Sequence, residues 1–135
     1  LPLAIIALSA MFNIINFNFI LPKLDYLFPS KILANKIELI NPETITSAGY
    51  HEPSLVFLLK GNVLLSKPHE AAIFMAEGKK NISLIEKSSL GEFLEATQEL
   101  NLKVKLVDTV RGYNIAKGRH VEINIFKNQM FDQSN

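Results

Sequence analysis

From Leu1 to Leu21 the chain carries no charged residue, and its only polar side chains are Ser9, Asn13, Asn16 and Asn18. A helix rising about 1.5 Å per residue would carry this stretch across the roughly 30 Å hydrocarbon layer of a bilayer, so 1–21 reads as a transmembrane helix. Asn13 and Asn16, three residues apart, share one face of it. Two other readings compete. The asparagines weaken insertion and suit a buried helix of a soluble protein. A signal sequence would need a small-residue cleavage site, and the Ile-Leu-Pro-Lys after Phe19 offers none. Pro22 to Pro29, with Tyr26, Leu27 and Phe28 as anchors, is predicted to be a connector over 22–29 at the membrane surface.

Beyond it the periodicity switches repeatedly between helix and strand. Leu33, Ile37 and Ile40 fall at helical spacing behind Ser30, a candidate N-cap, and Asn41-Pro42 ends that helix. Ile45 to Tyr50 reads as a strand. Pro53 opens a helix that Gly61 closes, Val63 to Ser66 is a strand, and Pro68 to Glu77 is a helix ended by Gly78. Ile82 to Ile85 is a strand, and Ser89-Leu-Gly-Glu92 matches a capping box ahead of a helix closed by Asn101. Val104 to Val110 and Val121 to Ile125 make an antiparallel hairpin around a loop holding Gly112 and Gly118; Val121, Ile123 and Ile125 alternate with Glu122 and Asn124. The pattern predicts an α/β fold: one hydrophobic helix, then a small, open, mostly parallel sheet with flanking helices and a C-terminal antiparallel hairpin. The folded domain spans 30–127, and 128–135 is a polar tail.

Composition narrows the chemistry. The 135 residues bury one core. Fourteen basic residues nearly cancel thirteen acidic ones, so there is no overall field to attract nucleic acid, and none is expected as a partner. Cysteine is absent, which removes disulfides, thiol catalysis and thiolate metal sites. The lysines after the span (Lys23, Lys31, Lys36) outnumber Asp25 and Glu38, but a domain of this size is translocated largely regardless of its charge, and orientation does not follow.

No phosphate-cradling glycine motif occurs. His51-Glu52 begins like a zincin motif, yet no second histidine stands a helical turn away, and His69 and His120 are distant. Glu52 precedes Pro53, where a carboxylate favours the helix dipole. With Tyr50 and His51 it also lies at the C-terminal end of a strand, where such sheets place ligands. Arg111 and Arg119, with Lys117 and His120, flank the hairpin loop. Their forks suit a phosphate or a lipid headgroup, or else carboxylates elsewhere in the fold. Tyr50, His51, Glu52, Arg111, Asn114 and Arg119 are the candidate contacts to substrate or partner, and no catalytic constellation is assignable from spacing.

Two stretches carry a likeness. Ser47-Ala-Gly-Tyr-His-Glu-Pro-Ser-Leu-Val-Phe57 resembles the G-Y-x-E-P-S-L-V-F segment near the C-terminus of bacterial lipid-linked-sugar glycosyltransferases. That group includes lipid A aminoarabinose transferases and relatives of dolichyl-phosphate-mannose protein mannosyltransferases. Arg111 to Phe126 resembles their closing G-x-N-Y-x-x-G-R segment, with Ile115 where the family often has an aromatic; Lys60 before Gly61 is a further departure. The resemblance implies the last span and extracytoplasmic α/β domain of a many-span enzyme of the bacterial inner membrane. Such an enzyme moves a sugar from a polyprenyl-phosphate carrier to a lipid or protein acceptor. The family's catalytic acids lie in an early loop, so no catalytic residue, metal ligand or cofactor is expected within these residues. A divalent metal is left open for the parent protein. The implied partners are the upstream membrane part, the bilayer and the lipid-linked sugar. Gly49, Tyr50, Glu52, Pro53, Ser54, Gly112, Asn114, Gly118 and Arg119 match the motifs without an assigned role. A membrane-anchored binding module and a soluble α/β enzyme are the alternatives.

Overall fold

Pro2 opens helix α1 (Pro2–Ile15) at a position where a missing N–H costs nothing. The computed structural model describes residues 1–131. The helical path continues beyond α1 as a π-helical turn, Asn16–Ile20, and a 3-10 stretch, Leu21–Leu27. Pro22, which has no N–H to continue the ladder, lies near the change of pitch. The predicted connector is therefore helical as far as Leu27. No residue of α1 is buried against the rest of the chain. The asparagine amides of the rod turn inward: Asn13, Asn16 and Asn18 donate to the carbonyls of Ser9, Phe12 and Ile14 at 2.9, 2.9 and 2.8 Å. Each thereby satisfies a donor that would otherwise be costly in an apolar medium. Pro2–Leu27 is one helix long and apolar enough to cross a membrane, a property shared by anchors and signal sequences.

Helix α2 (Pro29–Ile40) ends at Asn41, whose left-handed conformation stops it before Pro42. Then follow β1 (Thr44–Ala48), α3 (Pro53–Leu58), β2 (Val63–Ser66), α4 (Pro68–Glu77), β3 (Asn81–Glu86), a 3-10 turn, α5 (Leu90–Glu99), β4 (Val104–Asn114) and β5 (Arg119–Asn128). The five strands form one open mixed sheet in the order β2-β1-β3-β5-β4, with β1 parallel to both neighbours and β5 antiparallel to both of its own. The crossover from β1 outward to β2 and the return across β1 to β3 run in opposite directions, so with a single handedness their helices fall on opposite faces. Packing follows this. Leu33 of α2 and Leu55 of α3 join Ile45, Ile82, Leu84, Ile123 and Ile125 on one face. Ala71 and Met75 of α4 join Phe93, Ile85 and Phe126 on the other.

Several boundaries differ from expectation, each for a local reason. The hairpin strands run on through Gly112 and Asn114 because β5 is held on both sides and extends its neighbours' ladder; Gly112 lies in β4 rather than in the loop. A bulge between Leu106 and Asp108 bends β4, and Asp108 there pairs with Lys36 of α2. Ser89 makes no side-chain cap to α5; a glutamate instead caps α4, Glu70 accepting from the Lys67 N–H at 2.9 Å. Asn128, expected in the tail, closes β5, and residues 132–135 of that tail lie outside the described residues.

Candidate functional site

The chemistry gathers where β1 and β3 end. Gly49 leaves β1 with φ +83°, and a Cβ there would lie 2.7 Å from Ser89 Oγ and 2.9 Å from Glu86 Cβ. Only glycine allows both the left-handed turn and that approach. The turn sends Tyr50 inward, where it is 2% exposed. Its hydroxyl is 2.8 Å from Ser30 Oγ, which lies 2.8 Å from Ser54 Oγ. Ser30 is thus not the cap of α2: Phe28 holds that position, and the serine is spent on Tyr50.

Burial pushes the Tyr50 phenol above its ordinary value, against the Ser30 hydrogen bond, which lowers it; the nearby Glu52 and Glu86 carboxylates add to the rise. The sign is set by linkage: the folded state resists ionisation. Stability is therefore intact below the unfolded value of about 10 and falls as pH rises from there through the higher folded value. Tyr50→Phe is expected to gain on the wild type between about pH 8 and about pH 11 in urea titrations, and an unchanged difference would refute the ionisation argument.

His51 Nε2 lies 3.0 Å from the Ser47 carbonyl and 3.2 Å from that of Ser66. Both partners only accept, so Nε2 carries the proton and ties the ends of β1 and β2. Glu52 precedes α3 but makes no side-chain bond to it. Its Oε1 accepts from Asn114 Nδ2 at 2.6 Å and lies 4.0 Å from Lys117 Nζ. Glu52 thus stands at the N-cap of α3, the place the dipole reading gives it, but its side chain bonds the hairpin tip rather than the helix backbone.

Arg119 Nη1 meets Glu86 Oε1 at 2.5 Å. Glu86 is 2% exposed, and its Oε2 is buried without a hydrogen-bond partner among the described residues. That bond, with the Glu86 charge and more weakly that of Glu52, raises the guanidinium above its ordinary value. Arg111 Nε donates to Glu122 Oε2 at 2.9 Å, which together with Lys87 holds the Glu122 carboxyl below the usual range. Both arginines are therefore paired with carboxylates of the fold, one of the readings weighed for them, and lie within strands rather than in the loop. Tyr26 of the 3-10 stretch bonds His120 Nδ1 at 2.7 Å.

The 47–57 and 111–126 stretches thus meet, and beside their junction lies a cleft of about 400 Å³. Its wall is mostly apolar, built from Leu27, Phe28, Leu58, Ile115 and Ala116, while Ser30, Tyr50, Ser54, Glu52 and Asn114 form its polar side. Gly112 lets the hairpin lie on the 3-10 stretch, since a Cβ there would be 2.7 Å from Pro29 Cγ and 2.8 Å from the Tyr26 carbonyl. Tyr50, Glu52 and Asn114 line the cleft; Arg111 and Arg119 line a separate polar recess with Glu86, Lys87 and His120; His51 lines neither. Glu86 escaped the sequence reading, although a lone glutamate ending the apolar run of β3 was a usable signal, and Ser30 and Tyr26 are read there only as a helix cap and an interfacial anchor.

Such a cleft offers hydroxyl and amide hydrogen bonds beside an apolar wall, which suits an amphiphile. It presents no nucleophile held by a base. Among the described residues no group of three or more His, Asp or Glu side chains is placed to hold a metal ion. No family model, curated protein or solved structure matches the chain.

Proposed function

We propose that the chain is the C-terminal part of an integral membrane glycosyltransferase. The parent moves a sugar from a polyprenyl-phosphate carrier to a lipid or protein acceptor, and the α/β domain stands on the periplasmic side of a bacterial inner membrane. The observation that carries this reading is the Glu52–Asn114 hydrogen bond of 2.6 Å, which joins the two family-like stretches across 62 residues of sequence. Beside that junction the cleft opens next to the end of the apolar rod. Tyr50, Glu52, Ser54 and Asn114, four of the nine family-like residues, line this one cleft, which favours a shared role for them over chance likeness. In this reading the domain shapes the acceptor side, and the bond-making groups lie in the upstream membrane part.

The expected outcome is that membranes holding the whole gene product transfer labelled sugar from a polyprenyl-phosphate donor. Deleting residues 30–127 from that product abolishes transfer, and the 135-residue chain transfers none. Transfer by the chain alone, or undiminished transfer after the deletion, refutes the proposal.

One observation favours a second reading, a non-enzymatic binding module on a membrane anchor: Glu52 and Arg119 are both engaged by partners inside the domain. A whole gene product without transferase activity that retains a ligand in the cleft would decide for it.

A further inference from the structure

We propose that the cleft receives a hydrocarbon chain of a membrane lipid, with the hairpin tip around Ile115 seated at the level of the headgroups. This rests on the membrane placement of the rod proposed above. The rod from Pro2 to Leu27 has 26 residues. At about 1.5 Å each it outreaches the roughly 30 Å hydrocarbon layer, so its last turns emerge among the headgroups. Leu27, its final residue, is already part of the cleft wall. The mouth therefore opens where acyl chains begin.

The side chains around the mouth agree with that depth. Phe28, Leu58 and Ile115 are 51%, 41% and 57% exposed although apolar. Ile115 sits on the turn between β4 and β5, where a side chain facing only water would be expected to be polar. Tyr26 stands on the 3-10 stretch, Lys31 on the first turn of α2 and Lys117 on the turn that carries Ile115; aromatic and basic side chains of this kind anchor proteins at the interface. Inside, the hydroxyls of Tyr50, Ser30 and Ser54 bond one another, so an apolar guest leaves none of them orphaned. Taken together, the open wall, its continuity with the rod and its mutually bonded hydroxyls fit a hydrocarbon guest, with the Glu52–Asn114 pair on the polar side of the cleft.

The chain contains no tryptophan, so single-tryptophan variants report without background. Phe12→Trp marks the rod, Ile115→Trp the mouth and Leu58→Trp the cleft wall. Each full chain is reconstituted into phosphatidylcholine vesicles with plain or chain-brominated lipid, and emission is compared. Phe12→Trp and Leu58→Trp are expected to lose most of their emission to the bromine atoms and Ile115→Trp a smaller part, with Leu58→Trp blue-shifted. Quenching of Phe12→Trp without quenching of Leu58→Trp overturns the cleft proposal and leaves the span standing. Quenching at none of the three overturns both. Emission from Leu58→Trp that is blue-shifted yet unquenched would mean that protein covers the cleft, as in a dimer, and overturns the proposal as well. Ile115→Trp lies on an exposed turn and keeps the test decisive should Leu58→Trp fail to fold: if it is unquenched where Phe12→Trp is quenched, the mouth does not meet lipid.

Discussion

Replacing Arg119 by alanine is expected to lower the unfolding free energy of the α/β domain by about 2–4 kcal/mol. The cost comes less from the lost attraction than from what is left behind. Glu86 is closed off from water at the end of β3, and one of its oxygens already lacks a partner among the described residues. Without the guanidinium the other oxygen loses its close hydrogen bond too, and a carboxylate remains in a place water hardly reaches. A fully buried pair broken in this way loses roughly 3–5 kcal/mol; the range here starts lower because the Arg119 side chain is 45% exposed and water can partly replace it. Urea titration of the chain in detergent micelles measures the loss, with the wild type as reference. The same substitution in a Glu86→Gln background should cost much less, because the residue left behind is then neutral. Equal losses in the two backgrounds would show that the pair is not the source. Arg119→Lys should recover only part of the stability, since an ammonium is more strongly hydrated than a guanidinium and costs more to hold against the buried Glu86.

This dependence also explains how far the sequence could be read. Layers and element types were legible because each rests on local signals: three-to-four residue spacing in α2 and α5, proline at the head of α3 and α4, and Asn41, Asn101 and Gly61 in left-handed conformations where helices end. Side-chain partners were not. Ser30, Glu52 and Ser89 all stand at helix starts, where the local rule assigns a short polar or acidic side chain to the backbone. For Ser30 and Glu52 a long-range partner prevails, Tyr50 in one case and Asn114 in the other, because the packed fold brings the second group within reach. Ser89 Oγ lies where a Cβ on residue 49 would need to be. Glu86 and Arg119 are 33 positions apart and meet only because β3 and β5 pair antiparallel, a register no periodicity reveals. The hairpin ends failed for a related reason: Gly112 and Asn114 carry no strand signal of their own, and the ladder from β5 holds them.

Gly49→Ala is expected to destabilise the domain by about 2–5 kcal/mol, through two contributions that a comparison can separate. The first is conformational. At φ +83° an L-residue pays roughly 1–2 kcal/mol for its Cβ meeting its own backbone. Gly61 supplies the control, with φ +77° and nothing within 4 Å of where a Cβ would stand, so Gly61→Ala should show this contribution alone. The second is packing. An alanine at 49 meets Ser89 Oγ, which can rotate away, and Glu86 Cβ, which is fixed by strand β3 and cannot; overpacking of this kind adds about 1–3 kcal/mol. Ser89→Ala should therefore rescue only a small part of Gly49→Ala. The same displacement of Glu86 would disturb its contact with Arg119, so Gly49→Ala and Arg119→Ala should together cost less than the sum of their separate losses, as for two changes acting on one network. If Gly49→Ala and Gly61→Ala cost the same, the close approach of β1 to the Glu86–Ser89 turn contributes nothing, and Gly49 is held only by its backbone angle.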